Sequence, residues 1–318
     1  MRFTLLQSLL LTGPTLAFGA WFAHRARRES RTALFAFIGL AAYAFSLELA
    51  DVLTTQDYSY SDLGLMIGRA PAWVPLEVPI SWAVIVTCAM RTSDRLALPW
   101  RLRPLFDGLM ALSLDLVLDP ILSASRAVPA LGGGCLTGDQ PALGGLGMWI
   151  WCLPPGEQAL WLRVPLTNFF GWIVVVSLVS FAVRHAARSL EGSSPSFART
   201  AWVFARNLLG ALVAVVLTLL AYRALVTTPW MAWAVLGVAV AAVVLVLAPA
   251  MRAARLQNPV DVPVVAFLLS MILPYGALFY WRGQGTEAGL PMAMAYAGAI
   301  GVILLLTASP YLRGTRAR

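Results

Sequence analysis

The chain has 318 residues, 59% hydrophobic and only 12% charged, with a mean hydropathy of +0.76; a water-soluble domain, nearer 25% charged, is excluded. All 23 basic residues are arginine, so a retinal Schiff base, a pyridoxal lysine and a phosphate-loop lysine are impossible. Two histidines, His24 and His185, cannot build a di-iron or three-histidine zinc site, and the lone run Gly132-Gly133-Gly134 lacks the strand and ribose-binding acid of a dinucleotide site.

Taken in order, apolar windows predict nine spans, near 3–23, 32–54, 73–91, 104–124, 166–187, 201–222, 229–249, 262–281 and 290–311, since a helix needs about 20 apolar residues to cross a bilayer. The expected fold is an all-α polytopic membrane helix bundle, a single integral membrane domain over residues 1–318. Sixteen arginines fall in alternate loops and the C-terminal tail, six in the opposite loops and at the N-terminus, and Arg206 inside a span. That asymmetry orients the N-terminus outside and the C-terminus in the cytoplasm. The first span has only Arg2 before it and an arginine run after it, which reads as an uncleaved helix rather than a signal peptide. The net charge of +8 follows from the same bias and from attraction to anionic headgroups, so nucleic acid need not be invoked.

Polar groups concentrate in the second to fifth spans, over residues 32–190, whereas residues 200–318 are Ala, Val and Leu runs expected to be scaffold. Ionisable groups in a bilayer are costly and each needs a reason. The second span carries Glu48 and Asp51, the third Glu77, and the fourth Asp115 and Asp119. Spacings of three and four place each pair on one helix face, and at about 1.5 Å of rise per residue all five carboxyls lie in the outer half of the membrane. Too few cations reach that depth to balance them, so some are expected to hold a proton and serve as general acids. Asn168 and Trp172, four apart on the fifth span, enter from the same side. Aromatic residues accompany the group: Tyr58 and Tyr60 in the loop before the third span, Trp73 and Trp82 on it, Trp149, Trp151 and Trp161 in the long outer loop, then Phe169 and Phe170. Their ring faces can stabilise a cation. The same residues also admit plainer roles: Asp119-Pro120 as a helix terminus, the tryptophans and tyrosines as an interfacial belt, and Asn168 as an interhelical donor. Cys135 and Cys152 share the long loop and can bridge in an oxidising compartment, while Cys88 reads as packing.

The blocks Tyr58-Ser59-Tyr60, Val74-Pro75-Leu76-Glu77-Val78-Pro79-Ile80-Ser81-Trp82, Asp115-Leu116-Val117-Leu118-Asp119-Pro120, Trp149-Ile150-Trp151 and Asn168-Phe169-Phe170-Gly171-Trp172 resemble, in order, the membrane carotenoid hydratases. These include gamma-carotene and bisanhydrobacterioruberin hydratases, and the resemblance covers roughly residues 43–180. The approach to the last block, Ala159-Leu160-Trp161-Leu162-Arg163, departs from the family pattern. The resemblance implies a hydro-lyase of carotenoid biosynthesis in the bacterial inner membrane, adding water to the terminal 1,2 double bond of an acyclic psi-end carotene of the lycopene or gamma-carotene type. It implies no cofactor or metal, and company among other carotenoid enzymes. On this reading Asp115, Asp119, Glu77, Glu48 and Asp51 are catalytic, and Asn168, Trp172, Trp82, Tyr58, Tyr60, Trp149, Trp151 and Phe169 hold the substrate. Two readings compete: an intramembrane prenyltransferase, because Asp115 and Asp119 have the spacing of a magnesium-diphosphate motif, and a non-enzymatic lipid or proton carrier.

Overall fold

The computed structural model describes residues 5–54, 57–69, 72–127, 146–153, 160–253 and 261–281. These form eight helices, α1 (Leu5–Glu29), α2 (Arg31–Thr54), α3 (Glu77–Arg95), α4 (Arg103–Leu122), α5 (Leu166–Arg188), α6 (Phe197–Leu225), α7 (Pro229–Ala253) and α8 (Val262–Trp281). Seven short strands accompany them: β1 (Tyr58–Tyr60), β2 (Met66–Arg69), β3 (Ala72–Pro75), β4 (Ser123–Ala127), β5 (Trp149–Leu153), β6 (Leu160–Trp161) and β7 (Val164–Pro165). The expected ninth span, 290–311, lies outside the described residues.

Helix starts follow local chemistry. Ser30 alone separates α1 from α2, its hydroxyl accepting from the Ala33 amide at 3.0 Å, and Ser196 caps α6 by accepting from the Arg199 amide at 3.2 Å; both satisfy amides that have no partner within the helix. Pro79, Pro104 and Pro229 sit in the first turns of α3, α4 and α7, where a missing N–H costs nothing.

Four helices, spanning Arg31–Thr54, Leu166–Arg188, Phe197–Leu225 and Pro229–Arg252, are long and apolar enough to cross a membrane. The outward faces of α6 and α7 expose large apolar side chains such as Trp202, Leu217, Trp230 and Leu245, as suits contact with lipid. The more polar α3 and α4 are wrapped by neighbours, α3 by α1, α2 and α4, and α4 by α3, α5, α7 and α8. Gly108 lets α4 approach α5 closely, since a Cβ there would lie 2.3 Å from Ser177 Oγ and 2.8 Å from the Ile173 carbonyl oxygen. About two turns farther along α4, that antiparallel contact brings Asp115 level with Asn168.

The structure corrects the sequence reading at several points. The segments expected to be loops are partly strands, so the fold is a helix bundle with small sheets at one end rather than purely α. β5 lies between β1, to which it is antiparallel, and β4, to which it is parallel. The third helix begins at Glu77, because β3 pairs with β2 and carries Trp73 in the sheet. Arg206, placed inside a span and open to either a carboxylate partner or a snorkelling role, is exposed on α6. Arg184, one of the sixteen arginines counted with the alternate loops and the tail, is instead a buried cation of α5. Its guanidinium donates to Asp94 at 2.5 Å, Ser93 at 2.8 Å and Asp107 at 3.1 Å, tying α3, α4 and α5 together. This arginine-rich end of the bundle lies opposite the sheet end.

Candidate active site

At the sheet end a cavity of about 900 Å³, including its mouth, opens between α2, α3, α4, α5 and β5. Its lining combines Glu48, Glu77, Asp115, Asp119 and Asn168 with apolar side chains that include Ile85, Ala111, Leu114, Leu118 and Met271. An apolar pocket with a few convergent polar groups is the usual form of a small-molecule site.

The sheet aims its aromatic residues by simple alternation, because residues two apart in a strand share a face. Tyr58 lies opposite Trp151 and Tyr60 opposite Trp149 across the β1–β5 pair. Both tyrosine hydroxyls donate to the same Glu48 oxygen, Tyr60 at 2.6 Å and Tyr58 by a shorter bond. Both indoles donate to the same Asp119 oxygen, Oδ1, at 3.0 Å. Burial and then the adjacent Glu48 carboxyl push the Tyr58 and Tyr60 phenols well above their ordinary range, so they serve as donors. The Tyr-Ser-Tyr and Trp-Ile-Trp patterns thus place four donors on two carboxyls carried by different helices.

Asn168 joins the two carboxyls of α4. Its side-chain nitrogen donates to Asp115 Oδ2 at 2.6 Å and Asp119 Oδ2 at 2.7 Å. Asp119 thereby accepts three N–H bonds, the pattern of an acceptor-only carboxylate. Pro120 has no amide hydrogen, which leaves the Leu116 carbonyl without a helical partner. The Trp161 indole fills that vacancy at 3.0 Å. Trp161 is held by the β6–β7 hairpin, whose turn residues Leu162 and Arg163 adopt positive φ of 50° and 71°, a conformation that costs roughly 1–2 kcal/mol for a residue with a Cβ.

Glu77, the first residue of α3, is 4% exposed, and its Oε1 finds no hydrogen-bond partner among the described residues. Trp82 and Trp172 stack with ring centroids 4.3 Å apart and an interplanar angle of 16°. Eleven of the thirteen sequence-predicted site residues line this cavity; the exceptions are Asp51 and Phe169. Asp51 lines an adjoining cavity, one helical turn beyond Glu48. Phe169 is fully buried in the packing with Leu166, Ile173 and Leu236, because the residue after Asn168 projects away from Asn168's face. Sequence reasoning missed Thr15 of α1, Met148 beside β5 and Met271 of α8 as lining residues. Met271 lies in the segment assigned to scaffold, and a single apolar residue in an apolar helix carries no signal that separates wall from packing. Cys152 is disulfide-bonded and Cys88 is free and buried; Cys135 lies outside the described residues.

No curated protein and no solved structure shows a significant match to the chain. Residues 5–127, from α1 through β4, match the family model described as carotenoid biosynthesis protein, which supports that general family and takes in every carboxyl of the site, while Trp149, Trp151, Asn168 and Trp172 lie beyond the match.

Proposed function

We propose that the chain is a carotenoid hydratase of the bacterial inner membrane, its sheet end facing outward, which adds water to the terminal 1,2 double bond of an acyclic psi-end carotene. The observation that carries this reading is one cavity whose lining brings four carboxyls and several aromatic rings together with apolar side chains. The end group sits among the carboxyls and the polyene lies along Leu114, Leu118 and Met271.

Asp115 or Glu77 gives its proton to C2 of the alkene; the π pair forms the new C–H bond and leaves a tertiary cation at C1. The stacked faces of Trp82 and Trp172 steady that charge. Water, oriented by Asn168 and Asp119, attacks C1, and its surplus proton passes to a carboxylate, which restores the acid. The net change is alkene plus water to tertiary alcohol, with no electron transferred and so no redox cofactor required. For the competing magnesium-diphosphate reading of Asp115 and Asp119, a magnesium requirement of the activity is the discriminator.

Expression in a bacterium accumulating lycopene or gamma-carotene tests the reading. A pigment heavier by one water with an unchanged chromophore is expected. Asp115→Asn and Glu77→Gln then identify the donor, which is the variant that loses product while expressing normally. Unaltered pigments from well-folded wild-type protein would refute the proposal.

A further inference from the structure

A second cavity, about 720 Å³ with its mouth, lies beside the first between α2, α5 and α6. Its rim at the sheet end is the ion pair between Arg223 and Asp57, side chains that are 44% and 41% exposed. Asp51 and Thr167 also line it, and Glu48 and Asn168 face both this cavity and the first. The stacked Trp82 and Trp172 are common to both linings as well, so the two cavities share a wall made of the residues that handle the chemistry.

Polar groups from the Arg223–Asp57 rim to Asn168 suit water, which remains in a cavity only where it finds several hydrogen-bond partners. Apolar side chains, Leu47, Val175 and Leu219 among them, complete the lining. Once a polyene fills the first cavity, its mouth is occupied, and the water to be added needs another path. We infer that the second cavity is a water inlet: water enters from the sheet-end face past Arg223 and Asp57, and Asn168 and Glu48 deliver it to the carboxyl chamber. The purpose assigned to this water rests on the hydratase reading; the hydration of the cavity does not.

Gly171 lines the inlet and not the first cavity, and a Cβ built there meets nothing within 4 Å. The test uses Gly171→Cys, with Thr167→Cys as a second position, in sealed vesicles of both orientations. Wild-type protein supplies the background, its Cys88 being buried and its Cys152 bridged. An anionic, membrane-impermeant thiosulfonate added on the sheet-end side should label both variants, and labelling should abolish most turnover that the unlabelled variants retain. Labelling by a membrane-soluble maleimide alone, by neither reagent at either position, or only from the arginine-end side would overturn the inlet. Failure of the hydratase reading is distinguishable, because it leaves pigments unconverted by the wild type whatever the labelling shows.

Discussion

Replacing Arg184 by Met would show how strongly the arginine end of the bundle depends on one buried charge pair. Arg184 is 9% exposed and Asp107 is fully buried, with Nη2 3.1 Å from Asp107 Oδ2. Asp107 would keep only the hydroxyls of Ser93 at 2.6 Å and Ser180 at 2.5 Å. Removing one member of a buried pair costs about 3–5 kcal/mol, because the other charge stays buried without compensation. At about 1.4 kcal/mol per decade, this is a fall of roughly two to three and a half decades in the folded-to-unfolded ratio. The bond to Asp94 adds little, since Asp94 is 44% exposed. The double variant Arg184→Met/Asp107→Leu should recover most of the loss, as apolar replacement of a whole buried pair is often near neutral. Reversible denaturation in detergent, with elution profiles confirming folded starting material, measures all three proteins. A single-variant cost below about 1 kcal/mol, or a double-variant cost equal to the sum of the singles, would refute the reasoning.

Asn168→Leu removes the donor shared by Asp115 and Asp119; at about 1.5–3 kcal/mol per hydrogen bond to a charged group, both thermal stability and turnover should fall, and retention of both would contradict the bridging role. Trp161→Phe leaves the Leu116 carbonyl without a partner at a cost of about 1–3 kcal/mol, and adding Pro120→Ala should reduce that cost by restoring the helical amide; strict additivity in a double-mutant cycle would exclude the link. Gly108→Val should destabilise by roughly 1–3 kcal/mol through overpacking against α5, whereas Gly210→Ala, into open space on α6, should be neutral or stabilising; thermal midpoints decide between them. Burial raises the Glu29 carboxyl, but Arg91 and Arg25 outweigh it and hold the group below 4.5; its contribution is present above that pH and lost as pH falls through the lowered value. Glu29→Gln should therefore flatten the acid limb of the stability curve slightly, the pair being partly exposed, and an unchanged limb would remove Glu29 from that role.

The level of each carboxyl was legible because helix rise is constant and spans announce themselves by length and hydropathy, both local properties. Glu48, Glu77, Asp115 and Asp119 could thus be placed together before any contact was known. The two donor pairs were half legible: Tyr-Ser-Tyr and Trp-Ile-Trp alternate as strands do, but membrane-interface aromatics look the same. Their pairing, Tyr58 with Trp151, depends on a register between segments far apart in the chain. Arg184 illustrates the reverse failure, since an arginine near a span end resembles a loop arginine until the packing of α3 and α4 shows its head group enclosed.

Hydropathy, charge bias and helical spacing, all readable within one or two turns of chain, determined the bundle, the expected orientation and the group of carboxyls. Tertiary structure alone decided which oxygen receives which donor, that Asp51 serves a second cavity while Glu48 faces both, and that Phe169 is packing rather than wall. Those outcomes depend on which helices and strands come into contact, and contact between distant segments leaves no local trace in the residues that make it.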